Sequence, residues 1–546
     1  MRDNYKTAVI LAALSKEFKW EEVPDRLMLR EKQKMSKINR IFYFLAFLAI
    51  VFIILKVQKV ESNEETSMME WMSRLSNVDQ AESTLAKDNE IKSLERFERL
   101  KMKDFELIDR NLTGEEMFVY YAYYDIRDPL GPRIRFLANA VCRDLDKKEI
   151  TVDVGDGQEV LPLEWANGIS TGGCADCLLQ GMDFATVVHE GPVSDEIVIS
   201  RKTKSRKVKL HQIAQNYEEK DEMKSCILSP LFWYNDWPRL FVFFEWWKRK
   251  NGIKKILIHI HSLSKVTKQL IDYYVNEGLV EVGTFPWMPF TADYNPNDHI
   301  FYNSVHIATQ ICSVWSDSKY TTMNDVDELF YVRNSSENLL SLTQRLMGSR
   351  ATEISLKTVG ALGLQATALT FPSGGLSADE WNYKEFKTLN FLKSTTVYRS
   401  EQYTKYIYET ASAKKPWLHE MLEFFGEKEQ IRLNEDQAVY LHMRNNYNAE
   451  TFRTSKQVLL DANLRLFEDD ELEAMRNTLD KIFPIPPSYK TEITLPVLSE
   501  CRLRSKNDTK REKCLKTTGT TCYDAMKDLD DWVFAVPNED SVFTPI

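Results

Sequence analysis

The chain has 546 residues, with 71 basic and 81 acidic side chains and a net charge of −10. This length exceeds one average domain, and an acidic balance disfavours a nucleic-acid-binding protein. Hydrophobic residues make up 43% of the chain and Gly and Pro are few, which excludes mostly disordered and collagen-like proteins.

The N-terminal region carries one strongly apolar segment, an unbroken run over residues 41–55. Residues 26–40 before it contain six Arg or Lys and one acidic residue, whereas acidic residues follow it. The positive-inside rule then predicts a cytosolic tail over 1–37, a transmembrane signal anchor over 38–60 and a lumenal remainder. A buried helix of a soluble protein is the alternative interpretation of the same run.

Cysteines and glycosylation motifs agree with a lumenal body. All eight cysteines follow the apolar run, which favours disulfides, although a Cys-x-x-Cys at 174–177 also permits metal or redox chemistry. Asn-x-Ser/Thr acceptor motifs begin at Asn111, Asn334 and Asn507. We therefore expect a glycosylated, single-pass type II protein of secretory-pathway membranes, with its C-terminal domain in the lumen.

The rest of the chain divides by its residue pattern. Residues 61–115 are polar and are predicted to form a stem. Alternating apolar residues over 116–220 predict a β-rich accessory region. Residues 221–490 combine strand-like and helix-like segments, and 491–546 form a C-terminal tail that contains cysteines.

The 221–490 region is predicted to alternate strands with helices. The segments 226–230, 254–260, 279–285 and 320–323 have the length and residue types of strands.

Helix boundaries separate these runs. Asp236 and Ser264 are residue types that cap helices, and Gly252 and Gly278 are expected to end the two helices. A third helix is predicted to open at 297–298. Three strand–helix steps in series predict a mainly parallel sheet covered on both faces by helices.

Two acidic residues follow the fourth predicted strand, Asp325 and Asp327. Ligands bind at the carboxyl edge of parallel sheets, and paired carboxylates can hold a divalent cation that binds a diphosphate. His442 and Arg444, two apart after another apolar run, could add a metal ligand and a phosphate contact. A solvated acidic turn is the competing interpretation of the Asp pair.

Taken together, these features resemble a Golgi type II glycosyltransferase, and more specifically glycosyltransferase family 92 in its nematode branch. The matching segments share their order along the chain: 122–127, 226–230 with Glu245, 273–278, 280–282, Cys312, the Asp-Val-Asp-Glu at 325–328, 393–394 and 442–444.

The resemblance implies a GT-A-like fold and inverting transfer of a sugar, with galactose from UDP-galactose as the expected donor and a glycan or glycoprotein as the acceptor. It implies Mn²⁺ held by Asp325 and Asp327 with His442 as a further ligand, and Arg444 on the diphosphate.

The general base and the activity itself are less determined by the sequence. A carboxylate after the Asp pair is the expected base, and we name Asp379 and Glu380, with Glu353 and the acids at 435–436 left open. An inactive glycan-binding or scaffold protein with the same fold is the main alternative, since positions 408–409 and 443 depart from the family pattern. A lumenal hydrolase with paired carboxylates is a second one.

Overall fold

The computed structural model of the protein describes the larger part of the chain after its N-terminal region. The described ranges are 97–98, 102–106, 112–141, 145–155, 159–169, 178–213, 217, 221–348, 358–371, 383–443, 458–507 and 518–536. The predicted cytosolic tail, signal anchor and most of the stem lie outside these ranges. Within them, no helix combines the length and the apolar character that a bilayer-spanning segment requires.

A closed seven-stranded barrel accounts for the predicted β-rich region. Its strands, β1 to β7 in chain order, are Phe118–Asp125, Arg133–Val141, Ile150–Asp153, Val160–Gly168, Leu179–Thr186, Glu196–Arg201 and Lys204–Gln212. They close in the order β1-β2-β5-β4-β3-β6-β7. Alternate residues such as Ile134, Phe136 and Ala138 face the barrel core, which is the period-two pattern that half-buried strands require.

A ten-stranded sheet forms the body of the protein. Its strands, β8 to β17 in chain order, are Met223–Ile227, Lys255–Ile260, Val280–Thr284, Tyr320–Asn324, Glu328–Val332, Thr358–Thr370, Thr395–Glu409, Lys428–Arg432, Ala438–His442 and Leu459–Leu464. The order across the sheet is β10-β9-β8-β11-β14-β13-β16-β12, with β15 paired to β13 and β17 to β14.

The prediction of a mainly parallel sheet is correct for only part of this body. Strands β10, β9, β8 and β11 pair in parallel. Beyond β11 the sheet is mixed, because β14 runs antiparallel to both β11 and β13, and β12 runs antiparallel to β16. The strand–helix alternation that produces parallel pairs ends at Asn324, and the later strands return without long helical crossovers.

Helices cover this sheet. Helices α1 to α7 in chain order are Trp237–Lys250, Lys265–Asn276, Val305–Trp315, Leu339–Gly348, Tyr383–Thr388, Asp469–Ile482 and Thr491–Asn507. Asp236 and Ser264 cap α1 and α2 with their side chains, as predicted. Gly252 and Gly278 follow these helices with φ of +67° and +76°, a left-handed conformation that glycine adopts at little cost.

The third predicted helix begins later than the sequence indicates. Helix α3 starts at Val305 rather than at 297–298, because Tyr302, Asn303 and Ser304 have positive φ angles of 52°, 53° and 57°. These angles break the α-helical path. The result is a left-handed turn directly before α3.

The C-terminal segment packs onto the body. The strand Trp532–Ala535 pairs antiparallel with Ser262–Ser264 and with Phe97–Glu98. A disulfide joins Cys501 of α7 to Cys522.

A second disulfide, Cys226–Cys312, links strand β8 to helix α3. The predicted use of disulfides is therefore confirmed for these four cysteines. The other four, at 142, 174, 177 and 514, lie outside the described residues.

Candidate functional site

Two predicted site residues lie at the carboxyl edge of the parallel strands. Asp325 and Asp327 follow β11 directly, at the edge where ligands of open α/β sheets bind. Glu328 begins the next strand, β12, and pairs in register with His442 at the end of β16. The antiparallel pairing of these two strands thus brings residues from distant parts of the chain to one place.

A buried lysine lies behind the first carboxylate. The Nζ atom of Lys405 on β14 is 2.8 Å from Oδ2 of Asp325 and 3.2 Å from Oε2 of Glu328. The backbone N–H of Asp325 also donates to Glu328 Oε2, at 2.8 Å. Burial raises the pKa of Glu328 to about 7, against the lowering effect of the Lys405 charge. Burial alone would lower the pKa of Lys405, but Asp325 and Glu328 hold it above its usual range.

The second carboxylate faces a histidine and an arginine. Oδ2 of Asp327 lies 3.3 Å from Nε2 of His442 and 3.9 Å from Nη1 of Arg239. Arg239, in the first turn of α1, pairs through Nε with Oδ2 of Asp236 at 3.0 Å. Its Nη1 donates to the backbone carbonyl of Met443. Its Nη2 has no hydrogen-bond partner in the described structure, although the side chain is buried.

A cleft of about 510 Å³ opens beside Asp327. Its lining comes from the segment after β8, from the left-handed turn before α3, from Val326 and Asp327 and from helix α7: residues 229–236, Arg239, Tyr302, Asn303, Val305, Val326, Asp327, Thr491, Thr494, Leu495, Leu498 and Arg502. The volume is in the range of small-ligand sites. The lining combines charged side chains with aromatic and aliphatic ones.

Comparison with known protein families identifies the body of the chain. Residues 221–483 match the model of glycosyltransferase family 92. The match identifies residues 221–483 as a glycosyltransferase family 92 domain. No match was found among curated proteins. The domain is thus of the glycosyltransferase type, the class of enzymes that move a sugar from a donor to an acceptor.

The structure describes only some of the site residues that the sequence predicted. Asp325, Asp327 and His442 lie at the site as given above. Asp379, Glu380 and Arg444 lie outside the described residues, as does Asn111. Asn334 is exposed in a turn, with its Oδ1 accepting from the hydroxyl of Ser336 at 2.8 Å. Asn507 is the last residue of α7.

The residues present suit a divalent cation. A carboxylate oxygen of Asp327 and an imidazole nitrogen of His442 converge beside the cleft, and Mn²⁺ accepts both ligand types. Asp325 binds Lys405 through one oxygen, while its side chain remains 39% exposed.

A second cluster of side chains of metal-binding type has a structural role. In the described ranges, Cys226, His259 and Cys312 are the one set of three whose ligand atoms all lie within 4.8 Å of one another. Both cysteines are disulfide-bonded, so neither offers a thiolate. Burial lowers the pKa of His259 to about 4 and that of His261 to about 3. These values describe neutral core histidines.

Positions that depart from the family pattern lie away from the cleft lining. Tyr408 is fully buried, and Glu409 pairs with Lys428 at 2.6 Å. The Met443 side chain is buried in the core, while its backbone N–H donates to the Asp327 carbonyl at 2.7 Å. Position 443 therefore contacts the site through backbone atoms, which any residue type supplies.

Sequence reasoning missed Lys405 and Arg239. Lys405 is a charged residue of β14 whose neighbours Thr404, Tyr406 and Ile407 are buried, which is the pattern that could have revealed it. Arg239 lies in the first turn of a predicted helix, where an arginine is ordinarily a surface residue. Only the tertiary contacts distinguish it from the exposed or half-buried basic residues at the other end of α1.

Proposed function

We propose that the protein is an inverting glycosyltransferase that transfers a sugar, galactose from UDP-galactose, onto a glycan acceptor. The observation that carries this proposal is a cleft in a family 92 domain that is lined by Asp327 and Arg239 together with aromatic and aliphatic residues, with His442 in contact with Asp327. A sugar nucleotide combines a flat base with a charged diphosphate, and this lining offers groups that suit each.

Asp327, His442 and Asp325 are the residues that would hold Mn²⁺. A bound Mn²⁺ would supply positive charge that stabilises a diphosphate leaving group. Lys405 keeps the carboxylate of Asp325 in place from behind, through the 2.8 Å contact. The antiparallel pairing of β12 and β16 keeps His442 beside Asp327.

Arg239 is the proposed cation for the diphosphate. Its guanidinium is held at two nitrogens, by Asp236 and by the Met443 carbonyl, and its Nη2 lacks a partner in the described structure. An arginine fixed in this way binds phosphate oxygens without first losing side-chain freedom. Arg444, the residue expected from the sequence to do this, remains a further candidate.

The acceptor hydroxyl needs a base as it attacks the anomeric carbon. Asp236 and Asp327 are the carboxylates among the described lining residues. Asp236 caps α1 and is paired with Arg239, and Asp327 faces His442, so both are already engaged. Asp379 and Glu380 stay the proposed base candidates. In the amide variants Asp379→Asn and Glu380→Gln, loss of the base should slow transfer and leave UDP binding intact.

A sugar-nucleotide screen tests the central proposal. The lumenal fragment should bind UDP more tightly with Mn²⁺ than without it, and UDP-galactose should give transfer or slow hydrolysis. Transfer from another sugar nucleotide would show that the donor sugar is not galactose, while the assignment as a glycosyltransferase would stand. Binding of glycans without nucleotide dependence or turnover would favour the inactive scaffold, and cleavage of finished glycans would favour the hydrolase.

The secretory location is proposed on separate grounds. The two disulfides and the exposed Asn334 suit an oxidising lumen, and the apolar run at 41–55 suits a signal anchor that delivers the chain there. Glycosidase treatment of the cellular protein should lower its apparent mass, and Asn334→Gln should remove part of that change. An unchanged mass, with the body open to protease in intact vesicles, would reverse the predicted orientation.

A further inference from the structure

Strained backbone is concentrated in the wall of the cleft. Six non-glycine residues of the described structure have positive φ, and four of them are Trp233, Tyr302, Asn303 and Ser304. The first three line the cleft, and Ser304 follows them directly. Residues with side chains rarely adopt this conformation, and it persists only where surrounding contacts enforce it.

The barrel enforces the turn at 302–304. Asn139 on strand β2 donates from Nδ2 to Oγ of Ser304 at 2.6 Å and to the hydroxyl of Tyr120 at 3.1 Å. Asn139 is fully buried and Ser304 is nearly so. This contact joins the barrel core region to the cleft wall, since Tyr302 and Asn303 immediately precede Ser304.

The C-terminal segment supports Trp233 in a comparable way. The indole of Trp233 meets the rings of Trp532 and Phe534 edge-on, at centroid distances of 5.1 and 5.3 Å. Its backbone N–H donates to Oγ of Ser262 at 2.7 Å, on the strand that pairs with Trp532–Ala535. Helix α7 of the same segment adds Leu495 and Leu498 to the cleft lining.

Both supports lie outside the part of the chain that matches the family. The match covers residues 221–483, whereas Asn139 precedes it and α7 and Trp532 follow it. The strained cleft wall belongs to the family 92 domain, but the contacts that hold it come from the barrel and the C-terminal segment.

The wall presents a flat, partly exposed ring. Tyr302 is 41% exposed, and one side of its ring stacks near His306 at 5.8 Å and 17°. Leu495, Leu498 and Phe232 line the same cleft. An aromatic ring with aliphatic neighbours suits a planar heterocycle, and stacking of this kind supplies a useful part of base-binding affinity.

We propose that this wall is the nucleoside subsite of the cleft and that the barrel and the C-terminal segment hold it in its binding shape. Tyr302 contacts the base, whereas Asn139 and Trp532 are positioning residues that act through Ser304 and Trp233. The proposal rests on the function proposed above, because it assumes a nucleotide donor. It assigns the support of the donor site, through Asn139 and Trp532, to regions that the family match does not cover.

The direct test compares two ligands that share the diphosphate. Tyr302→Ala should weaken binding of UDP with Mn²⁺ by about tenfold or more, as expected for loss of base stacking. Binding of inorganic diphosphate with Mn²⁺ should change less than about twofold, because Arg239, Asp327 and His442 are untouched. Tyr403→Ala is the matched control: Tyr403 is also exposed, stacks on His419 at 4.7 Å and lies outside the cleft lining.

A separate variant tests whether the contact between Asn139 and Ser304 positions the cleft wall. Ser304→Ala removes the hydroxyl that Asn139 binds without adding volume, and it should raise the Kd for UDP several-fold while diphosphate binding is kept. Asn139→Ala should act in the same direction. A purely structural role would instead lower thermal stability and weaken both ligands alike.

The possible contrary results separate failure of the proposed function from failure of the nucleoside subsite. Wild-type protein that binds diphosphate but not UDP, with or without Mn²⁺, overturns the nucleotide-donor function together with this subsite. Wild type that binds UDP, with Tyr302→Ala and Ser304→Ala unchanged, overturns the subsite alone. Unchanged UDP binding with a raised KM for the acceptor would make the wall an acceptor subsite and would also overturn the proposal.

Discussion

Nζ of Lys405 lies 2.8 Å from Oδ2 of Asp325, although 80 residues separate them in the chain. The same ammonium is 3.2 Å from Glu328, and the Lys405 side chain is 1% exposed. A buried cation between two carboxylates compensates charges that would otherwise repel each other beside the cleft. The acidic cluster is therefore stable before any cation from solution binds it.

Removing this lysine should destabilise the protein. Lys405→Met leaves the buried Glu328 without its cation, and breaking a buried ion pair commonly costs about 3–5 kcal/mol. Urea unfolding at neutral pH measures the loss. The double variant Lys405→Met/Glu328→Gln should recover part of it, because the uncompensated charge is gone. Equal stability of the single and double variants would show that the pair is not the origin of the effect.

Loss of a site carboxylate should remove metal-dependent transfer. Asp327→Ala and Asp325→Ala each delete an expected Mn²⁺ ligand, and charge stabilisation of this kind is worth roughly 3–4 kcal/mol, about a hundred- to thousandfold in rate. Turnover and thermal stabilisation by UDP with Mn²⁺ are the measurements.

A surface acid provides the control for those variants. Asp272→Ala removes a carboxylate that pairs with Lys268 on α2, at 2.8 Å and away from the cleft. Its turnover should match that of wild type. The metal-assisted mechanism would be excluded if both site variants turned over at the wild-type rate. It would also be excluded if the affinity for UDP were the same with and without Mn²⁺.

The two disulfides should differ in their contribution to stability. Cys226–Cys312 spans 86 residues and Cys501–Cys522 spans 21. The chain-entropy relation gives about 4–5 kcal/mol for the first and about 3 kcal/mol for the second. Paired Cys→Ala variants, compared by urea unfolding, check the order. Only the second pair should also weaken UDP binding, since it anchors α7 against the cleft.

Acid should destabilise the protein through buried histidines. Burial lowers the pKa of His306 from its ordinary 6.5 to about 4, and the ring stacks on Trp417 at 4.1 Å. The folded protein thus binds fewer protons here than the unfolded chain, so stability falls as pH drops from about 6.5 to 4. The loss from this group alone is on the order of 3 kcal/mol.

The variant His306→Phe keeps an aromatic ring against Trp417 and removes the titration. Unfolding measured between pH 7 and 4 should show a smaller loss of stability in this variant than in wild type. His259 and His261 act in the same direction, so part of the slope should remain. Parallel pH profiles for the two proteins would contradict the assignment to His306.

Local patterns in the sequence were enough for the elements whose causes are local. The caps at Asp236 and Ser264 and the glycine stops follow from side-chain hydrogen bonds and backbone freedom within a few residues. The strand at 320–324 and the Asp pair after it follow from an apolar run that ends in acids. The disulfides of four cysteines were expected as a class, although their pairing was not.

Tertiary structure alone decided what surrounds those elements. The mixed half of the sheet depends on which distant strands pair, and no local period specifies this. The left-handed turn at 302–304 occurs in a segment with a helical pattern because Asn139, far away in the chain, holds Ser304. Lys405 and Arg239 reach the Asp pair through strand order and helix placement. The sequence by itself therefore predicted the position of the Asp pair after its strand, whereas the cleft, its charge compensation and its strained wall arise from contacts between residues that only folding brings together.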